Sequence, residues 1–215
     1  MKYACFGDSI TSDEVSGIGT LICKNLGFEL IGNFGHGNAT CADWHLDGEN
    51  LTKPCLDVPF DHWGSINTLS NQILKYEALG VTADIAYIAI CGNDGKNAET
   101  VVLEEPSEEP VTIYGAICQA VKRLRASNPD MKIFAATPLK ASGKCIPEAF
   151  APEELEKKRN LVIRAAEDIG ITLIDSYQEA PFDGCGGADA LGIHPIGEKR
   201  QEIADYVSAE IQKNL

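Results

Sequence analysis

The sequence predicts an α/β fold: a three-layer, doubly wound parallel sheet of about five strands with helices on both faces. Two observations carry this. Five short apolar segments alternate along the chain with segments of helical period, the pattern of strands joined by crossover helices. Right-handed crossovers between parallel strands then wind the helices onto both faces of the sheet. No internal repeat, linker-like composition or second core interrupts the pattern, so residues 1–215 are expected to form one domain.

Taken in order, Tyr3-Ala4-Cys5-Phe6 is the first strand and stops at Gly7. Asp8-Ser9-Ile10-Thr11 follows as an elbow before a helix that carries Ile18, Leu21, Ile22 and Leu26 and ends at Gly27. Glu29 to Phe34 is the second strand. Residues 35–64, rich in Gly, Asp, Asn, Pro, Trp and His, have little period and read as a long loop. Ser65 is placed to cap a helix with Ile66, Leu69, Ile73 and Tyr76. Asp84 to Ile90 is the third strand, followed by a polar loop to about Glu109. Pro110 fits the first turn of a helix with Ile113, Ile117, Val121 and Leu124 on one face. Lys132 to Thr137 is the fourth strand, ended by Pro138. The loop to Pro152 leads into a helix with Leu155, Val162, Ala166 and Ile169 facing inward. Ile171 to Ile174 is the fifth strand. A Gly-rich loop from about Ser176 to Pro195 precedes the last helix, with Ile203, Val207 and Ile211 aligned.

Composition narrows the function. The net charge is −14, from 32 acidic and 18 Lys and Arg residues, and the bases form no cluster that could displace counterions from nucleic acid or dock on an anionic membrane. No apolar run reaches the length of a membrane span. Met1-Lys2 passes straight into the first strand without a signal-peptide core, which gives a cytoplasmic expectation; an exported chain trimmed of its signal fits the same sequence. None of the eight cysteines form a C-x-x-C pair, so neither a metal knuckle nor a redox pair is expected, and the thiols are read as free. Cys5, Cys91 and Cys118 fall in apolar patterns, whereas Cys41, Cys55, Cys145 and Cys185 fall in loops. No metal and no cofactor are predicted. A homodimer is compatible with the chain, which identifies no interface.

In a doubly wound sheet, ligands bind outside the carboxyl ends of the strands. Ser9 lies at one such end. A serine hydroxyl becomes a nucleophile only when a base takes its proton and donors stabilise the oxyanion. The other strand-end loops offer both: His194 in Gly192-Ile193-His194-Pro195, Asn93 in Gly92-Asn93-Asp94, and the glycine-containing stretch Asn33 to Thr40. The plainer alternative is that Asp8 and Ser9 merely cap the next helix.

These blocks together resemble the SGNH hydrolases, also called the GDSL esterase/lipase family: Gly7-Asp8-Ser9, Asn33 to Thr40, Gly92-Asn93-Asp94 and Gly192 to Pro195, in the family's order across nearly the whole chain. The resemblance implies the flavodoxin-like SGNH hydrolase fold and assigns roles. Ser9 is the nucleophile and its N–H one oxyanion donor. The Asn93 amide and the Asn38 N–H are the others, with Asn38 standing where the family usually has glycine, just after Gly37. His194 is the general base and acid. The family's aspartate usually lies three residues before the histidine; here that residue is Leu191. Asp189 is the expected orienting acid, Asp183 a more distant candidate, and a backbone carbonyl in a Ser-His dyad the alternative.

The chemistry so implied is hydrolysis of a small-molecule carboxylic ester through an acyl-serine. Asp8, Gly37, Trp44 and Ile193 are candidate substrate contacts. Trp44, His45, His62 and Trp63 in the long loop suit stacking on a sugar face, which favours a small acyl group, such as acetyl, on a carbohydrate or similar polar molecule; the plainer alternative is that the two tryptophans pin the long loop to the body. The alternatives are an esterase, lipase or thioesterase for lipid-like acyl esters, and a non-catalytic binding module on the same fold. A nucleotide binder is disfavoured by the lack of G-x-G-x-x-G and G-x-x-x-x-G-K-[ST]. A metal hydrolase is disfavoured by the lack of H-E-x-x-H. No G-x-S-x-G elbow surrounds Ser9.

Overall fold

A computed structural model describes residues 1–43, 45–47, 50–52, 67–95, 110–142 and 148–215. In chain order the elements are β1 (Lys2–Gly7), α1 (Ile18–Leu26), β2 (Glu29–Asn33), β3 (His45–Asp47), β4 (Asn50–Thr52), α2 (Leu69–Ala78), β5 (Ile85–Ala89), α3 (Ile113–Ser127), β6 (Lys132–Ala136), a 3₁₀ turn (Glu148–Phe150), α4 (Pro152–Ile169), β7 (Thr172–Ile174), α5 (Ser176–Glu179) and α6 (Glu198–Lys213). Five strands form one sheet in the order β2-β1-β5-β6-β7, all parallel. This is the α/β fold that the alternating pattern predicts. The short antiparallel hairpin β3–β4 lies within the segment read as an unpatterned loop; three-residue strands are too short to show a period.

Alternate residues of each central strand face opposite layers. Ala4 and Phe6 of β1, Ala86 and Ile88 of β5, and Ile133 and Ala135 of β6 pack with Leu69, Ile73 and Tyr76 of α2, with α3, and with Leu161 and Val162 of α4. Tyr3 and Cys5, Ile85 and Tyr87, and Phe134 and Ala136 pack instead with Ile18 and Ile22 of α1 and with Ile203, Val207 and Ile211 of α6. Both faces are therefore dry, which is why the strands read as continuous apolar runs. On the first face Phe6 stacks on Phe34 at 5.3 Å, and Tyr76 meets Phe6 edge-on at 5.7 Å. A Phe6→Ala cavity there would cost about 3–5 kcal/mol.

Helix boundaries follow the predicted punctuation with two corrections. Gly27 ends α1 in the left-handed conformation, and Pro152 opens α4. For α2, however, the cap is Thr68, whose hydroxyl accepts from the Asn71 N–H; Ser65 and Ile66 lie outside the described residues. For α3 the cap is Thr112, which accepts from the Gly115 N–H at 2.9 Å. Pro110 sits before the helix rather than in its first turn. In both cases a threonine nearer the apolar face satisfies an otherwise unpaired helical N–H.

The chain leaves β1 outward to β2 and later returns past β1 to β5. The strand order thus reverses between β1 and β5. A crevice opens outside the carboxyl ends of strands at such a switch point. Residues 8–11 follow β1 and residues 91–94 follow β5, so both loops border it. Among the described residues no helix is long and apolar enough to cross a membrane.

Candidate active site

The serine turn is built around Gly7. A side chain at this position would put its Cβ 2.0 Å from the Thr11 hydroxyl and 2.6 Å from the Ala89 carbonyl, so only glycine fits. Gln72 of α2 holds both sides of the same residue: its Oε1 accepts the Gly7 N–H and its Nε2 donates to the Gly7 carbonyl, each at 2.8 Å. The Asp8 carbonyl accepts from Thr11 and Ser12 at 3.1 and 3.0 Å, and the Asp8 carboxylate accepts the Ile10 N–H at 3.0 Å. Ser9 stands at the tip of this tight turn, nearly buried. The next helix starts only at Ile18, with Gly17 at φ 66° as its N-cap. Asp8 and Ser9 therefore do not cap a helix.

The last strand-end loop brings His194 to this tip. Ser9 Oγ lies 2.8 Å from His194 Nε2, and His194 Nδ1 lies 2.6 Å from Asp189 Oδ2. The second carboxylate oxygen of Asp189 accepts the N–H groups of Ile193 and His194 at 3.1 and 3.2 Å. Burial raises the Asp189 pKa, but the His194 side chain and these two N–H groups outweigh it and hold the carboxyl below its ordinary range. An ionised Asp189 only accepts hydrogen bonds, so the imidazole proton resides on Nδ1 and Nε2 is left to accept the Ser9 hydroxyl. The five-residue offset closes because the loop folds back on itself. Asp189 N–H donates to the His194 carbonyl and Gly192 N–H to the Asp189 carbonyl, both at 2.9 Å. Gly192 adopts φ 70°, where a Cβ would lie 2.0 Å from the Ser142 hydroxyl. Asp183 is engaged elsewhere, accepting the Cys185 N–H at 2.8 Å.

On the opposite side, Asn93 Nδ2 donates to the Ala39 carbonyl at 3.0 Å, tying the loop after β5 to the loop after β2. Asn38, one residue earlier, has φ 62°, a conformation asparagine tolerates. The Asp94 carboxylate adds two ties, accepting the Cys41 and Ala42 N–H groups at 2.8 and 2.9 Å. Burial lifts its pKa to about 6, although these N–H groups and Lys158 oppose the shift. Burial likewise raises the Asp8 carboxyl. Cys91, fully buried, takes φ 135°, a strained conformation of the kind that costs about 1–3 kcal/mol and gathers at functional sites. Burial pushes its thiol up, which leaves it unreactive.

A cavity enclosing about 360 Å³, open mouth included, lies against Ser9. Asp8, Ile193 and Asn93 line it, together with Leu139, Lys140, Phe150 and Leu155. Asn38 and Gly37 stand on the adjoining loop, outside that lining. Trp44, His62 and Trp63 lie outside the described residues, and His45 contributes the first backbone position of β3. Among the described residues no group of three or more His, Cys, Asp or Glu side chains could hold a metal ion. Sequence reading missed Gln72, Phe150 and Lys158. The first two look like ordinary helix and loop residues. Lys158 carried a signal: it falls between Leu155 and Val162 on the inward face of α4, where a charged residue is anomalous.

A profile of the GDSL-like lipase/acylhydrolase family matches residues 5–198. The chain belongs to that family. Membership implies an ester hydrolase. Among solved structures, a protein from Lactobacillus plantarum superposes with a TM-score of 0.72 at 14% identity, covering 100% of this chain and 97% of the other. A carbohydrate acetylesterase from Sinorhizobium meliloti gives 0.67 at 15% identity, covering 100% and 99%. The lipase/acylhydrolase from Enterococcus faecalis gives 0.61 at 16%, covering 100% and 96%. At these identities the likeness is one of fold. No curated protein sequence matches the chain.

Proposed function

We propose that this GDSL-family acylhydrolase is a serine esterase that removes a small acyl group, such as acetyl, from a carbohydrate or similar small polar alcohol. The observation that carries the reading is the hydrogen-bonded chain from Ser9 Oγ through His194 to Asp189, at 2.8 and 2.6 Å, beside a cavity. His194 Nε2 takes the Ser9 proton as Oγ attacks the ester carbonyl, and Asp189 holds the resulting imidazolium. The tetrahedral oxyanion is met by the Ser9 N–H, the Asn38 N–H and the Nδ2 proton of Asn93 not given to Ala39. Collapse expels the alcohol, which His194 protonates. Water activated by His194 then releases the acid from Ser9.

A small acyl group is supported by the cavity's size and by its walls, in which Ile10, Leu139, Phe150, Leu155 and Ile193 line the space around Ser9. The fold likeness to a carbohydrate acetylesterase agrees with it. The test is hydrolysis of p-nitrophenyl acetate, butyrate and laurate by the wild type and by Ser9→Ala. Activity highest on acetate and lost in the variant is expected. Laurate preferred over acetate would move the reading to lipid-like esters, and equal traces in both proteins would remove Ser9 as nucleophile.

A further inference from the structure

Lys158 is completely buried, at 0% exposure, on the face of α4 that otherwise carries Leu155, Leu161 and Val162. Its ammonium donates to the Gly92 carbonyl at 2.9 Å and to the Ala149 carbonyl at 2.7 Å, and lies 5.5 Å from the centre of the Phe150 ring. A buried cation is retained only where partners offset the loss of water. Two carbonyls and the nearby carboxylates of Asp8 and Asp94 do so here.

The two carbonyls hold specific places. The Gly92 carbonyl belongs to the planar peptide whose nitrogen is that of Asn93, so fixing one orients the other. On its other side Gly92 presents its N–H to Asp8, with so little room that a Cβ would sit 3.1 Å from the carboxylate. The Ala149 carbonyl likewise precedes Phe150, a wall of the cavity. Lys158 touches neither Ser9 nor the cavity, yet it ties together the loop bearing one proposed oxyanion donor and the turn bearing the facing pocket wall. We propose that Lys158 is a positioning residue of the esterase, holding the Asn93 amide at the oxyanion position by clamping the Gly92 and Ala149 carbonyls. This rests on the serine-esterase reading above.

The test is a double-mutant cycle on p-nitrophenyl acetate with Lys158→Met, an uncharged side chain of similar length, and Asn93→Ala. Lys158→Met is expected to lower kcat about 10- to 100-fold with KM changed less than about threefold, as for weakened transition-state contacts. In the Asn93→Ala background the same substitution should change kcat less than about threefold, because the residue it positions is gone. An unchanged kcat in Lys158→Met, or losses that multiply in the double variant, would overturn the proposal. Should Lys158→Met fail to fold, the wild type decides by ¹⁵N NMR of its lysine ammonium groups before and after reaction with a small methylphosphonate ester. The slowly exchanging signal of the buried ammonium should shift when Ser9 carries the adduct. An adduct on Ser9 without that shift overturns the role of Lys158 alone. Absence of any adduct overturns the esterase reading and this inference with it.

Discussion

Asp189 stands five positions before His194, whereas the bonds that hold the Asn93 loop join residues 52 to 66 positions apart. The histidine end of the site is a small self-closed loop. Its carboxylate and backbone bonds come from residues 189–194, the imidazole reaches beyond them to Ser9, and the Gly192 carbonyl accepts the Ser142 N–H at 3.2 Å. The Asn93 end is a junction. Ala39, Cys41 and Ala42 from one loop, Asp94 from another and Lys158 from α4 meet in a dry interior. The electrostatics differ accordingly. Asp189, near the surface and well supplied with donors, is held below the ordinary carboxylate range, while burial pushes Asp94, fully enclosed, and Asp8, buried at the cavity wall, above it. A locally built end can be altered with little effect on the rest of the fold; an end built from distant parts links chemistry to stability.

The comparison can be broken at four points. Ser9→Ala, where the two ends meet, is expected to lower kcat by at least about 10⁴-fold on acetate esters, with the thermal midpoint almost unmoved. Next, Asp189→Asn should lower kcat by about 10²- to 10⁴-fold through loss of the correct imidazole tautomer. Its effect on stability should stay within about 1 kcal/mol, because the asparagine oxygen can still accept the Ile193 and His194 N–H groups. A large drop in the urea midpoint would show that this end is not local after all.

Asn93→Ala should lower kcat by about 10²- to 10³-fold, and it should also destabilise the fold by about 1–3 kcal/mol, because the buried Ala39 carbonyl loses its donor. Loss of activity without loss of stability would dissolve the contrast with Asp189. The smallest effect on activity is expected from Asp94→Asn, which is best read in stability against pH. The Asp94 carboxyl moves from 3.8 to about 6 on folding, so between those values the folded chain holds the extra proton. Its contribution is therefore present below about pH 4 and is lost as pH rises through about 6, on the order of 1–3 kcal/mol. Urea titrations from pH 4 to 7 should show that decline in the wild type and less of it in the variant. Parallel curves would mean that Asp94 titrates normally.

The same division separates what could be read along the chain from what could not. The α/β order, the five strands, and Ser9, Asn93 and His194 at strand ends were legible because each depends on a short local pattern: an apolar run, a glycine stop, a loop placed after a strand. Asp189 was legible as a candidate because it lies close to His194 along the chain, although only the bent loop decides that a five-residue gap closes to 2.6 Å. The positions of the caps, Thr68 and Thr112 rather than Ser65 and Pro110, depended on where the packed faces of α2 and α3 begin.

Sequence by itself determined the layers and which polar residues stand at the strand ends, since periodicity and residue type act over a few neighbours. Only the tertiary structure decided that Gln72 would clamp Gly7, that Asp94 would bind the Cys41 and Ala42 amides, and that Lys158 would lie buried behind Gly92. The physical reason is desolvation. A glutamine, an aspartate or a lysine is ordinarily a surface residue, and it acquires a fixed partner only when distant segments close around it and remove the water that would otherwise satisfy it.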